Sequence, residues 1–516
     1  MTRLEKASQP GPEPQFVKGL GLVSATTLVM GSMIGSGVFI VAADIARIVD
    51  SPALLIAAWL VSGFMTVVAA LCYGELAAMM PRAGGQYVYL REALGPLWGF
   101  LYGWTLFLVI QCGTIAAVGV AFGKFLGVFL PTVSSSHWIV HLWKVPPIHL
   151  GAMVLGNMEV GLNTQNLAAI ATIVVLSAVN IFGVKTGAIV QVVFTTAKVA
   201  GLLGLIVLGV WAGSTVEARS ANFGANFWIH AGLGALHRIP VGASGATALV
   251  STLTVIAVAQ VGSLFSADAW NNVTFTAGEV RNPQRNLPLS LAVGTGAVIL
   301  LYIAVNLIYL LVLPLHGDPN SLTVLGRGVQ YASEDRVATA VMQQIMGQGG
   351  AKLMALAILI STFGCNNGLI LAGSRVYYAM ARDGLFFRSV GRLHPRFKTP
   401  HLSLMVQAFW ASVLCLSGSY GQLLDYTIFA VLLFYVLTLV GLFVLRRTRP
   451  DAPRPYRALG YPLLPAIYIV MAIFIDGVLL VYKPQYTWPG LIIVLLGIPV
   501  YFLWRHGKKS DALEER

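Results

Sequence analysis

Three glycines within seven residues, Gly31-Ser-Met-Ile-Gly-Ser-Gly37, interrupt an apolar run from Leu20 to Ala43. Backbone this rich in glycine does not favour a helix. What it offers chemically is free N–H and C=O groups, which in hydrocarbon are costly unless protein, water or a ligand takes them up. A second stretch, Gly262-Ser-Leu-Phe-Ser-Ala-Asp-Ala-Trp-Asn-Asn272, sets the carboxylate of Asp268 and several polar side chains into apolar sequence. A third polar feature is Lys198, in Thr195-Thr-Ala-Lys-Val-Ala200. An ammonium inside an apolar segment is expensive unless oxygens surround it or it loses its proton. Interrupted backbone and isolated charge together point to a binding site inside a membrane.

The elements that carry these groups follow from composition. The chain is 57% hydrophobic and 10% charged, with a mean hydropathy of +0.77, which does not describe a soluble globular surface. Apolar runs long enough to cross the bilayer's hydrocarbon fall at residues 20–43, 52–80, 95–127, 166–184, 189–213, 246–278, 288–314, 352–381, 402–418, 422–446, 460–482 and 486–505. Twelve spans place both termini on one side. About two-thirds of the lysines and arginines lie on that same side, so it is expected to be cytoplasmic. This bias accounts for most of the net charge of +13 through topology and contact with anionic lipid headgroups, and a nucleic-acid partner is not needed to explain it.

The polar residues 1–19 lack a short apolar core with a cleavage site, so the first span reads as an uncleaved anchor. Cys72, Cys112, Cys365 and Cys415 all lie within predicted spans, which leaves no extracellular disulfide. The nine histidines are scattered and form no metal-ligand spacing with the cysteines, so neither a metal nor another cofactor is expected. Three long outward loops cover 128–165, 214–245 and 315–351. The first, with Trp138, Trp143 and Pro146-Pro147, reads as a lid or short interfacial helix. Short helices are expected within 382–401 and 446–459.

The two polar interruptions lie five spans apart. Five is odd, so a repeat of that length would appear in opposite membrane orientations in its two copies. Paired broken helices in inverted repeats mark the midplane site of secondary transporters.

The motifs around these breaks resemble those of the amino acid-polyamine-organocation (APC) superfamily, and within it the L-type amino acid transporter branch with its bacterial relatives. They include Gly31-Ser-Met-Ile-Gly-Ser-Gly-Val-Phe39, Tyr73-Gly-Glu-Leu-Ala77 and Pro81-Arg-Ala-Gly-Gly-Gln-Tyr-Val-Tyr89. Further along come Asp268-Ala-Trp-Asn271, Gly278-Glu-Val-Arg-Asn-Pro-Gln-Arg-Asn-Leu-Pro288, Asn367-Gly368, Ser374-Arg375 and Ala381-Arg-Asp-Gly384. The resemblance covers residues 18 to 447 and implies an all-α LeuT-type membrane fold of twelve helices. Two inverted five-helix repeats, 20–213 and 246–446, are broken in spans one and six and joined by the loop 214–245. A segment 447–505 carries a cytoplasmic loop and two further helices, and 506–516 is a cytoplasmic tail.

The resemblance also assigns roles. N–H groups around Ile34, Gly35, Ser36, Gly37 and Val38 would receive a substrate α-carboxylate at the positive end of a helix dipole. Carbonyls around Phe265, Ser266 and Ala267 would receive the α-ammonium, and the Phe265 ring would gate the outward path. Asp268 has two open roles: attracting the substrate ammonium, or capping the second half of span six, which is the preferred expectation. Trp270 and Asn271 would shape the side-chain pocket. Relatives carry an aromatic-Asp-Gly-Trp pattern where this chain has Ala267-Asp268-Ala269-Trp270, which leaves the pocket's volume open. Asn367 is a substrate-proximal candidate. Asn180, Asn306 and Gln111 read as interhelical or pathway amides. Glu75 has two readings, an inner-gate ion pair with Arg82 or Arg91 and a solvated helix end.

Lys198 lies about ten residues into span five, roughly 15 Å from its cytoplasmic end at 1.5 Å per residue. In sodium-independent members of the family a lysine at the matching position stands where sodium-coupled relatives hold a sodium ion. By resemblance it would bridge span five to the break in span one and to span eight, with Ser361 and Thr362 as oxygen partners. A tethered cation makes sodium coupling unnecessary. Two modes stay open: exchange if Lys198 keeps its charge, and uptake with protons if burial lets it titrate. Animal relatives join a single-span heavy subunit through an extracellular cysteine that this chain lacks. The resemblance therefore implies a stand-alone carrier of neutral amino acids in a bacterial plasma membrane, not an enzyme. The alternatives are a cationic amino acid or polyamine carrier and a non-transporting membrane sensor.

Overall fold

The computed structural model describes residues 16, 18–146, 148–150, 153–155, 158–228, 246–416 and 420–514. The first span is two helices, α1 (Leu22–Met33) and α2 (Gly37–Val49). It ends six residues beyond the expected limit of 43, because Ala46 to Val49 extend the apolar face past Asp44. Helix α3 (Pro52–Met79) starts cleanly: the Ser51 hydroxyl accepts from the Leu54 N–H, and Pro52 at the first position loses no intrahelical bond. A short helix α4 (Gln86–Leu94) precedes α5 (Pro96–Leu126), which carries a π-helical turn at Leu106–Ile110.

The expected lid or interfacial helix between α5 and α6 (Thr164–Ile181) is instead a β-hairpin, so the fold is not purely α-helical. Strand β1 (Trp138–Val145) pairs antiparallel with β4 (Met158–Asn163), and β2 (Ile148–Leu150) with β3 (Met153–Leu155). Aromatic and β-branched residues at Trp138, Ile139, Val140, Trp143 and Val145 favour a pleated surface over a helix. Asn163 then caps α6 through the Asn166 N–H at 2.7 Å.

Helix α7 (Val184–Leu208) carries Lys198. The sixth span, expected at 246–278, stops as α8 (Ala246–Ser266) and resumes as the short α9 (Asn272–Phe275). Six longer helices follow: α10 (Pro283–Val312), α11 (Val337–Arg382), α12 (His401–Cys415), α13 (Tyr420–Thr448), α14 (Leu463–Tyr482) and α15 (Pro484–Glu514). Helix α11 begins inside the expected loop 315–351 and turns at Gly347, whose φ of +64° suits glycine. Among the described residues ten helices are long and apolar enough to cross a membrane, and two of the expected spans hold shorter apolar helices, Thr252–Ser266 and His401–Cys415. Of the short helices expected within 382–401 and 446–459, the first segment holds one, the 3-10 helix Arg388–Gly391, whereas in the second Pro450, Pro453 and Pro455 deny helical bonds after α13 ends at Thr448.

Buried ion pairs fasten the helix ends. Glu75 of α3 is wholly buried, and neither Arg82 nor Arg91 is its partner. Its carboxylate receives Arg446 through Nε at 2.9 Å and Nη2 at 2.5 Å, faces Arg454 Nε at 3.3 Å, and accepts the Ala458 N–H at 2.7 Å. Arg446 also lies over the Tyr461 ring, 3.7 Å from its centre. The proline-rich segment is thus a strap that ties α3 to the end of α13. A second pair, Glu279 and Arg375, is buried with N···O distances of 3.1 Å. Backbone bonds from Leu20 N to Glu279 O and from Arg281 N to Leu20 O bring the start of α1 to the same point. On α4, burial works against ionisation of Glu92, but hydrogen bonds from Arg91 and Arg449 outweigh it and hold the carboxyl below its usual range.

Removing one partner of a buried ion pair strands the other's charge, typically at about 3–5 kcal/mol. Glu75→Ala is therefore expected to lower the melting temperature of the purified protein sharply. The exposed pair partner Asp44, with a side chain 54% accessible beside Arg47, is the control, and Asp44→Ala should shift it little.

Candidate functional site

The first break spans Ile34 to Ser36. Ile34 leaves the helical region with ψ of 84°, and Ser36 stands at the N-cap of α2. The carbonyls that the break frees are each claimed by a side chain from elsewhere. Lys198 Nζ donates to Gly31 O at 2.8 Å and Ile34 O at 2.9 Å. The Ser361 hydroxyl, on α11, donates to Ile34 O at 3.0 Å and Gly35 O at 3.2 Å. Tyr302, on α10, donates to Met33 O at 2.9 Å, and the Cys365 thiol to Ser32 O at 3.0 Å. Carbonyl oxygens are thus met from three helices. The first N–H groups of α2, from Gly37 and Val38, have no intrahelical acceptor by the geometry of a helix start.

Lys198 is 1% exposed, and among the described residues it faces no carboxylate within ion-pair distance. It shares the Ile34 carbonyl with Ser361, so α7 and α11 converge on one atom of the break. Thr362 is not part of this set. Its hydroxyl turns back onto Ile358 O at 2.9 Å and Leu359 O at 3.1 Å in its own helix, so the expected partnership with Lys198 is replaced by a local bond.

The second break runs from Ala267 to Asn271. Ala269 adopts φ of +64°, a left-handed conformation in which glycine is at ease and alanine is strained. The Asp268 carboxylate accepts the Tyr435 hydroxyl, from α13, at 2.5 Å and is also hydrogen-bonded by the backbone of Ala269. The expected cap is not formed: the residue at the N-cap of α9 is Asn271, and its side chain makes no capping bond. Asn271 Nδ2 instead donates to Gln86 Oε1 at 3.1 Å, while Gln86 Nε2 reaches Phe434 O and Thr438 Oγ1. Trp270 packs edge-on against Tyr73 with ring centres 4.8 Å apart, and Tyr435 lies 5.3 Å from Trp270 and 5.7 Å from Tyr73.

The two breaks touch. A Cβ added to Gly37 would sit 2.8 Å from Ser266 Cβ and 2.9 Å from Ser266 Cα, so only glycine permits this approach. Phe265 is buried at the end of α8, one residue before that contact. A small void of about 10 Å³, room for about one water molecule, is bounded by Asp268, Ala269 and Asn271 of the second break, Gln111 and Thr114 of α5, and Tyr435. Gln111 lines it and also donates to Leu369 O at 2.8 Å, joining α5 to α11. Asn367 is placed elsewhere, in an amide chain: Asn180 Nδ2 donates to Asn367 Oδ1 at 2.9 Å, and Asn367 Nδ2 to Gln191 Oε1 at 3.2 Å. It joins α6, α7 and α11 and does not line the cavity. Asn306 bonds its own helix through Tyr302 O.

Sequence reasoning did not single out Tyr435, Gln86, Tyr302 or Cys365 for these contacts. Gln86 lies in the quoted Pro81 to Tyr89 motif, but Tyr435 sits in an unbroken apolar run that gives no signal.

These features define a polytopic helical membrane protein whose central groups are main-chain atoms at two touching helix breaks. The chain belongs to the amino acid permease family, whose model matches residues 20–503. It is 28% identical over 502 residues to the serine/threonine exchanger SteT of Bacillus subtilis, covering 96% of this chain and 98% of that protein. It is 29% identical over 515 residues to the human large neutral amino acids transporter small subunit 2 (99% and 85% covered). To the mouse Asc-type amino acid transporter 1 it is 28% identical over 498 residues (95% and 82%).

Two substitutions test the geometry of the breaks. Gly37→Ala is expected to force α2 and α8 apart and to lower thermal stability by about 1–3 kcal/mol through overpacking. Ala269→Gly, which relieves the left-handed strain but adds chain entropy, should leave the melting temperature nearly unchanged, whereas Ala269→Val should lower it.

Proposed function

We propose that the chain is a sodium-independent secondary transporter of amino acids, with neutral L-amino acids as its substrates, working by alternating access around the two breaks. The observation that carries this reading is the Lys198 ammonium lodged on the Gly31 and Ile34 carbonyls. A fixed cation there does electrostatically what a bound sodium ion would do, bracing oxygen dipoles that the broken helix leaves without partners, so no ion from solution is required. The N–H groups of Gly37 and Val38 at the start of α2 then suit a carboxylate. Carbonyls at the end of α8, around Phe265, Ser266 and Ala267, suit an ammonium, which selects what all amino acids share. The names of the relatives, a serine/threonine exchanger and transporters of neutral amino acids among them, agree with this substrate class.

In the same reading, residues 20–213 and 246–446 are two inverted five-helix units. Both termini face the cytoplasm, the membrane is a bacterial plasma membrane, and Phe265 closes the outward path over bound substrate. The four cysteines are free and buried, which suits a carrier that works without a disulfide-linked subunit. Held by two carbonyls, Lys198 is compatible with both modes: exchange if it keeps its charge, and uptake with protons if it titrates.

Proteoliposome uptake with internal amino acid, sodium and pH varied separately tests the proposal. Uptake of labelled L-serine or L-leucine should accelerate with internal amino acid and be indifferent to sodium, and a strict sodium requirement would overturn it. Lys198→Ala should cut exchange at least about tenfold, since two buried carbonyls lose a charged donor, each such bond being worth about 1.5–3 kcal/mol. Full exchange by that variant would refute the role given to Lys198.

A further inference from the structure

Asp268 is the ionisable group nearest the two breaks whose situation the transport reading does not use. A carboxylate in a central membrane site ordinarily advertises a cationic ligand. Here both kinds of protein donor already engage it: the Tyr435 hydroxyl at 2.5 Å and the backbone of Ala269. Among the described residues no lysine, arginine or histidine is paired with it. The titratable side chains around it are all tyrosines: Tyr435 from α13, Tyr102 from α5 and Tyr468 from α14.

Asp268 and Tyr435 together line two small voids of about 10 Å³ each, one with Gln111, Thr114 and Asn271 and one with Thr66, Leu264, Trp270 and Tyr468. The Asp268–Tyr435 hydrogen bond thus belongs to the lining of both. Packing of the Tyr435 ring against Trp270 and Tyr73 fixes where its hydroxyl points.

We propose that Tyr435 is a specificity-determining residue: by donating to Asp268 it withholds that carboxylate from the side chain of a cationic amino acid, so that the site stays selective for neutral ones. The proposal rests on the reading of the chain as an amino acid transporter. The physical basis is that selectivity is a difference between two affinities. A substrate ammonium that must displace a charge-assisted hydrogen bond gains less from the carboxylate than one that meets it bare. Removing the hydroxyl while keeping the ring should hand Asp268 to the incoming cation.

The test is counterflow of labelled L-serine and L-leucine in proteoliposomes, with unlabelled L-lysine and L-ornithine as competitors, for wild type, Tyr435→Phe and Tyr435→Phe/Asp268→Asn. Tyr435→Leu, which also lacks the hydroxyl, serves if the phenylalanine variant does not assemble, as judged by size exclusion and thermal stability. The expected result is weak competition by lysine in wild type, competition strengthened at least tenfold in Tyr435→Phe, and loss of that gain when Asp268 is also changed. An unchanged competition profile in Tyr435→Phe, or a gain that survives the loss of Asp268, overturns the proposal. Strong lysine competition in wild type overturns it too, while leaving amino acid transport standing. If wild type moves none of a panel of neutral and cationic amino acids, the transport reading itself fails.

Discussion

Main-chain oxygen set free inside a membrane has to find a donor, and the arrangement of this protein's centre follows from that requirement. Once α1 stops at Met33, the carbonyls from Gly31 to Gly35 have no helical N–H to accept from. Water cannot serve them in hydrocarbon. Four side chains from three other helices do so: Lys198 from α7, Tyr302 from α10, and Ser361 and Cys365 from α11. Those helices are thereby registered against the break. Losing one donor would leave a buried acceptor unsatisfied, the costly half of the hydrogen-bond asymmetry.

The opposite end of the interruption is left differently. The N–H groups that begin α2 face the place where Gly37 meets Ser266, and a glycine is needed for the two broken helices to come so close. Protein side chains satisfy the oxygens, and on the proposed reading the first amide hydrogens of α2 receive the substrate carboxylate. A site of that kind would recognise negative charge with backbone geometry alone, leaving the surrounding side chains to set substrate size and polarity.

Much of this was legible in the sequence because the signals were local. Glycine spacing marked the break at Ile34 to Ser36, the polar run marked the one at Ala267 to Asn271, and depth within its span marked Lys198. What escaped notice was non-local or conformational. Glu75 is neutralised by Arg446 and Arg454, more than 370 residues away, and no periodicity reports such a pair. Thr362 and Ser361 are neighbours in sequence, but the 100° turn of a helix sends one hydroxyl to the break and the other back onto its own carbonyls. Asn367 matched a motif, yet its amide is spent on Asn180 and Gln191. The hairpin from Trp138 to Asn163 was missed because tryptophans beside prolines fit an interfacial helix and a twisted ribbon equally well.

Charge is divided between frame and site in a consistent way. The frame's carboxylates, Glu75 and Glu279, are matched by arginines whose planar forks hold them in fixed geometry. The two site charges, Lys198 and Asp268, are held by neutral dipoles instead: carbonyls for the ammonium, a hydroxyl and backbone for the carboxylate. An arginine–carboxylate pair at the centre would have quenched the field that a zwitterionic substrate needs, and would have had to break whenever the helices moved. Dipoles satisfy each charge without cancelling it. A positive group then remains beside the break in α1, while on the proposed reading Tyr435 withholds the negative one beside the break after α8 from a cationic side chain.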